Sequence, residues 1–135
     1  MQKISSHRGC IYSLDISPNT SSSLRGPVIV SGSADKTIKI WKLQEKESSV
    51  FEIFQTIYSD YGYPFCVTIS SSNSMIVVGF EDKSLSIYSI QDRKKKYKLF
   101  QHEESLSSSF LWKIQLAKNA QGFMLSSGDG DILLY

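Results

Sequence analysis

The sequence predicts an all-β chain assembled from repeated antiparallel units, and two observations carry that prediction. First, one interval of 47 residues separates Asp35 from Asp82 and Asp82 from Asp129, and an aromatic residue stands six positions after each: Trp41, Tyr88 and Tyr135. The intervening segments read D-K-T-I-K-I-W, D-K-S-L-S-I-Y and D-G-D-I-L-L-Y, a turn followed by alternating apolar residues. A period of roughly 20–50 residues marks a repeat architecture, in which each unit stacks on its neighbours because it cannot bury its own faces. Second, strand signals recur roughly every 8–12 residues while helix-period patterns are scarce, the pattern of a sandwich-like or barrel-like β fold.

The elements follow in order. Cys10–Ser17 alternates, with Cys10, Tyr12, Leu14 and Ile16 on one face. Pro18 ends this strand because proline cannot donate to a ladder. The loop Asn19–Pro27 is rich in Ser, Gly and Pro, the residues of turns. Val28–Ser31 is a continuous apolar run, expected as a strand buried on both faces. Gly32–Lys36 turns the chain, Thr37–Leu43 is the third strand and Val50–Ile57 the fourth. The second unit repeats this order with strands at Phe65–Ser70, Met75–Gly79, Leu85–Ile90 and Tyr97–Gln101. The third gives Phe110–Leu116, Phe123–Ser127 and Ile132–Tyr135 and reaches the end of the sequence at its third strand. Residues 3–6 read as one more short strand, suited to completing another blade. Four strands per repeat of this length is the pattern of a β-propeller blade. The predicted fold is therefore a partial β-propeller of about three four-stranded antiparallel blades, with approximate units 7–57, 58–101 and 102–135 in a single domain 1–135.

Size and composition fit this reading and exclude several others. A chain of 135 residues is one domain in the ordinary size range. A net charge of +2 forces neither a nucleic-acid nor a membrane reading. No apolar run approaches the ~20 residues of a membrane-spanning helix. The start, MQKISSHRGC, has no apolar core like that of a signal peptide. Cys10 and Cys66 do not make a disulfide framework, so an intracellular, cytoplasmic or nuclear, setting is expected. Asn19-Thr20-Ser21 matches a glycosylation acceptor and is read as a chance loop tripeptide.

The first unit resembles a blade of the WD-repeat family. His7 stands where that family places the histidine of its Gly-His pair, here Ser6-His7. Y-S-L-D-I-S-P resembles the family's first strand, and V-I-V-S-G-S-A-D-K-T-I-K-I-W its second strand, tight turn and third strand. The resemblance spans essentially the whole chain and is strongest in the first unit. It implies a buried chain of hydrogen bonds through His7, Ser31, Asp35 and Trp41. The donor inventory suits such a chain: Trp only donates, a hydroxyl donates and accepts, Asp accepts, and His bridges in one tautomer. Later units depart from it. In the second, Val78 replaces the serine and Tyr88 the tryptophan, and no histidine lies nearby in sequence. In the third, His102 and Asp129 remain, Tyr135 replaces the tryptophan, and either Ser126 or Ser127 supplies the hydroxyl. Trp41-Lys42 also lacks the aspartate that gives the repeat its name. Asp82 and Asp129 are expected as the turn aspartates of the later repeats.

Chemistry-bearing motifs are few. His102-Glu103-Glu104-Ser105-Leu106 begins like a zinc-protease motif, but Leu106 stands where the second histidine is required. His7, Ser31 and Asp35 are the residue types of a hydrolytic triad, yet no G-x-S-x-G elbow accompanies them. Neither a phosphate-binding glycine loop nor a calcium loop is present; Asp129-Gly130-Asp131 reads as a turn. The expectation is a chain without catalytic residues, metal or cofactor. Two features suit a partner instead. Tyr58, Tyr61, Tyr63 and Phe65 crowd the connection between the first two units, where they either anchor a partner or pack the seam between blades. Arg93, Lys94, Lys95 and Lys96 form a basic run between two strands, read as a solvated turn, with contact to phosphates as the alternative. Trp112 falls in a strand pattern and is expected in the core. The sequence thus favours a protein–protein interaction scaffold. Its partners are expected to be other proteins, with the remaining blades of a longer parent or a second copy completing the ring. A nucleic-acid accessory role through residues 93–96 is the alternative.

Overall fold

The computed structural model describes residues 2–17, 26–44, 50–90, 96–117 and 122–135. Its eleven strands form three antiparallel sheets of four, four and three strands, with no helix among the described residues. The all-β expectation holds. The first blade is β1 (Ile11–Ile16), β2 (Val28–Ser33), β3 (Thr37–Leu43) and β4 (Phe51–Tyr58), paired in chain order. The second repeats the order with β5 (Pro64–Ile69), β6 (Met75–Phe80), β7 (Leu85–Ile90) and β8 (Tyr97–Glu103). The third holds β9 (Leu111–Leu116), β10 (Phe123–Ser127) and β11 (Ile132–Leu134). Residues 3–6 form no strand, which corrects that expectation.

The 47-residue interval is a backbone repeat. In each unit the aspartate sits in a tight turn between the second and third strands. Lys36 N–H donates to Ser33 O at 3.1 Å, Lys83 N–H to Phe80 O at 3.1 Å, and Gly130 N–H to Ser127 O at 3.3 Å. The residue after each aspartate is left-handed, with φ of 63° at Lys36, 72° at Lys83 and 92° at Gly130. Only the third unit uses glycine, which adopts that region without penalty; a lysine there costs about 1–2 kcal/mol, which the surrounding ladder must offset.

Two apolar seams hold the blades together. Between blades one and two, Val28, Val30, Ile38 and Ile40 meet Val67, Ile69, Ile76, Val78, Phe80, Tyr88 and Tyr97. Between blades two and three, Cys66, Val77, Leu85 and Ile87 meet Leu111, Ile114, Phe123 and Leu125. Blade two is covered on both sides, so M-I-V-V-G-F is buried almost continuously. Full burial of such side chains is worth about 1.5–3 kcal/mol each. Glycine sets how close the seams come. A Cβ on Gly32 would stand 2.7 Å from Pro64 O, and one on Gly79 would lie 3.3 Å from Leu111 of the next blade. Both sit at the same repeat position, and the third blade carries Ser126 there. Polar ties reinforce the first seam. Asp15 accepts from Thr68 Oγ1 at 2.8 Å and Ile69 N–H at 2.9 Å, and Ser13 Oγ accepts from Val67 N–H at 3.1 Å. Gln55 exchanges two hydrogen bonds with the Tyr97 backbone.

The two outward faces are apolar and open. Blade one exposes Leu14 and Ile16 of β1 and Ile53 of β4; blade three exposes Met124, Ile132 and Leu134.

Candidate functional site

The polar centre of the first blade is built from four segments. Residues 2–10 cross the blade. Gln2 exchanges hydrogen bonds with the Phe51 backbone at 3.1 and 3.0 Å, and His7 reaches the β2–β3 turn. His7 Nδ1 lies 2.9 Å from Asp35 Oδ2 and Nε2 lies 2.7 Å from Ser31 Oγ. Trp41 Nε1 donates to Ser31 Oγ at 3.2 Å. One proton order satisfies every member. Trp is donor only, so Ser31 accepts from it and gives its own proton to Nε2. In that arrangement the His7 Nδ1–H donates to Asp35. The carboxylate also accepts from Thr37 Oγ1 at 2.6 Å, Arg8 N–H at 2.9 Å and Thr37 N–H at 3.0 Å. Burial works to raise the Asp35 pKa, but the bonds from Thr37, Arg8 and His7 outweigh it and hold the carboxyl well below the usual carboxylate range. The His7 side chain is 2% exposed and Asp35 12%, so no substrate-sized approach leads to either.

The later repeats keep the turn and change the network. Asp82 accepts from both the hydroxyl and the N–H of Ser84, the counterpart of Thr37. Asp129 accepts from Ser127 and from Ser108, a serine doing for the third turn what His7 does for the first. These bonds hold the Asp129 carboxyl below its ordinary range. Two assignments change here. His102 belongs to β8 of the second blade, where Nδ1 lies 2.8 Å from Ser86 Oγ and the ring stacks on Tyr61 at 3.6 Å. Ser126 and Ser127 do not occupy the place of Ser31 either. Leu125 pairs with Leu133 as Ser31 pairs with Lys39, so an apolar residue fills that position.

The remaining predicted residues separate into distinct places. Tyr58 is 76% exposed at the end of β4, and Tyr61 lies half-buried beneath His102. Tyr63 carries the Lys36 ammonium 5.4 Å from its ring centroid. Phe65 lies instead at the inner strand, 5.1 Å from Tyr12, 5.6 Å from Trp112 and 6.4 Å from Phe110 between ring centroids. Arg93, Lys94 and Lys95 lie outside the described residues. Lys96 is not a solvated turn residue: it is half-buried, donates to Phe54 O at 2.7 Å and sits 4.1 Å from the Phe54 ring centroid. Trp112 is not core; it is 58% exposed.

Tyr12, Phe65 and Trp112 are one position repeated on the innermost strand of each blade, and with Phe110 they form a continuous aromatic arc across all three. Sequence reading missed it. Phe65 and Trp112 keep the 47-residue interval, but the longer β1–β2 connection of the first unit displaces Tyr12 from it. Among the described residues no group of three His, Cys, Asp or Glu side chains converges as a metal site, and no helix is long and apolar enough to cross a membrane.

Comparison with known proteins agrees with this geometry. The family described as "WD domain, G-beta repeat" matches residues 1–42, which take in the crossing segment and the chain as far as Lys42 of β3. The chain is 22% identical over 129 residues to DDB1- and CUL4-associated factor 5 of Homo sapiens, covering 96% of this chain and 13% of that protein. It is 33% identical over 98 residues to Cilia- and flagella-associated protein 57 C of Tetrahymena thermophila, covering 68% of this chain and 7% of the relative. It is 30% identical over 98 residues to Small ribosomal subunit protein RACK1 of Neurospora crassa, covering 73% of this chain and 28% of the relative. The chain thus spans less than a third of the length of each. With the repeated turn, the three blades and the His7–Ser31–Trp41 bonds on the same residues, the chain belongs to the WD-repeat family.

Proposed function

We propose that this chain is a non-catalytic scaffold for protein–protein interaction whose contact surface is the aromatic arc. The single observation carrying this reading is the exposure of large rings at one repeated position: Tyr12 at 45%, Trp112 at 58%, and Phe110 beside them at 46%. Contiguous exposed aromatic surface is uncommon on a protein without a partner, and aromatic anchors dominate binding energy at interfaces. His7, Ser31, Asp35 and Trp41 act structurally in this reading, since each polar group is already bonded to the next. Asp82 and Asp129 hold turns. The partners are other proteins; the human relative is by name a factor associated with DDB1 and CUL4, which supports an assembly role. The two free cysteines fit an intracellular setting. Lys96 is engaged by Phe54 within the fold, so nothing among the described residues favours the nucleic-acid reading.

The same proposal covers the outward faces. Their exposed Leu14, Ile16 and Ile53 on one side and Met124, Ile132 and Leu134 on the other call for further blades, from a longer parent or a second copy. Light scattering and dye binding on the 135-residue chain test this: association or strong dye binding is expected, and a stable monomer that binds no dye refutes it. For the arc, Tyr12→Ser with Trp112→Ser should abolish capture of protein partners from cells while the melting temperature stays within error. Unchanged capture, or capture lost in proportion to salt through bound nucleic acid, overturns the reading.

A further inference from the structure

A second concave feature lies away from the arc, at the outer rim of the seam between blades one and two. It is a cleft of ≈ 310 Å³ between β4 and β8, within the size of a small-ligand site. Four phenol rings line it, Tyr58, Tyr61, Tyr88 and Tyr97, together with the carboxylate of Asp60. Among the described residues no lysine or arginine is in the lining. Lys96, just before β8, is turned aside by its bond to Phe54 O.

The walls differ in burial. Tyr88 and Tyr97 are buried at 5% and 2%, and Tyr97 Oη donates to Asn73 O at 2.6 Å, so these rings are fixed. Tyr61 is held by His102 on one side and lies 5.7 Å from Phe80. Of the four rings Tyr58 is the exposed one, standing at the open side of the cleft with the exposed Asp60 and Leu99. The negative group of the cleft is the Asp60 carboxylate, while burial pushes the Tyr88 phenol up to about 12. Aromatic rings with one carboxylate and no internal cation are the arrangement that attracts a weakly hydrated organic cation.

We infer that this cleft binds a quaternary ammonium group, either the side chain of a trimethylated lysine on a partner or a free choline-type molecule. The exposed Tyr58 and half-buried Tyr61 rings would meet the methyl groups over a floor formed by Tyr88 and Tyr97; the positive charge of those methyl groups is spread too thinly to need hydrogen bonds, and Asp60 would balance it. A primary ammonium is more strongly hydrated and fits this lining less well. The inference goes beyond the scaffold reading and does not depend on it, because the arc takes no part.

Titration of the full chain with tetramethylammonium, choline and N-acetyl-trimethyllysine amide, followed by backbone amide NMR, tests it. Saturable shifts confined to residues 55–61, 88, 97 and 99 are expected. Tyr58→Ala and Asp60→Asn, both at exposed positions, should each weaken binding by about fivefold, the scale of one exposed cation–π or ionic contact. Lys113→Ala on β9 serves as the control and should change nothing. Tighter binding of the trimethyllysine amide than of choline assigns the group to a protein side chain, and the reverse order assigns it to a small molecule. The uncharged tert-butyl analogue of trimethyllysine is the decisive competitor. If it binds as well as the cation, if no ligand saturates, or if Asp60→Asn is without effect, the inference is wrong.

Discussion

Blades one and three share a turn and differ in what surrounds it. Asp35 and Asp129 occupy the same position, each accepting from a hydroxyl two residues away. In blade one the network continues through His7 to Ser31 and Trp41 on the outward face, covered by residues 2–10. In blade three the position of Ser31 is Leu125 and that of Trp41 is Tyr135. That face is turned toward blade two, and Leu125 is buried in the seam. Tyr135 stacks on Phe123 at 4.8 Å, but half of it is exposed and its hydroxyl reaches Gln101 and Glu103. One scaffold therefore supports two solutions. Where a neighbouring blade covers the face, apolar packing fills it. In blade one, where residues 2–10 cross the face, a chain of hydrogen bonds does.

This contrast is broken most severely at Trp41. Its ring is buried, and its N–H is the first donor of the network, so Trp41→Ala leaves both a cavity and a serine without its donor. A loss of about 3–5 kcal/mol is expected in denaturant unfolding. Tyr135→Ala, at the equivalent but exposed place, should shift the midpoint far less. Equal losses would mean that the two aromatic positions are not distinguished by cover.

Much of this fold was legible in the sequence, because each repeat signal has a local cause. Aspartate accepts from its own turn, and the strand after it alternates by pleating; neither depends on distant contacts. What was hidden depends on which blade faces which. Trp112 sits in a strand as apolar as any other, and nothing local says that it meets Phe65 on the exposed inner strands instead of packing in a seam. Val28–Ser31 reads as covered on both sides, yet Ile29 is only half-buried because its face looks outward. His102 lies almost as far before Asp129 as His7 lies before Asp35, which suggested the third unit; the extension of β8 to Glu103 draws it into the second. Lys96 reads as a turn residue and is captured by Phe54 across the seam, a contact between strands 42 positions apart.

The charge at the centre of the network offers a smaller, pH-resolved test of the same comparison. Asp35 is held below its ordinary pKa by hydrogen bonds that exist only in the folded state. In the unfolded chain an aspartate titrates near 3.9. A depressed folded value means the stabilising contribution is complete above the unfolded value, and is lost as pH falls below about 4 toward the folded value. Asp35→Asn removes this titration and weakens the acceptor shared by Thr37, Arg8 and His7. It should cost about 1.5–3 kcal/mol at neutral pH, the scale of a hydrogen bond to a charged group. Below pH 4 the gap between variant and parent should narrow. Asp129 is also depressed, but it lies in water, where solvent screens the same bonds. Asp129→Asn should leave the melting temperature within error at every pH. Unfolding curves of the two variants between pH 2 and pH 7 decide the point. If Asp129→Asn reproduces the acid dependence of Asp35→Asn, the turn alone carries the charge effect and the His7–Ser31–Trp41 chain adds nothing to it.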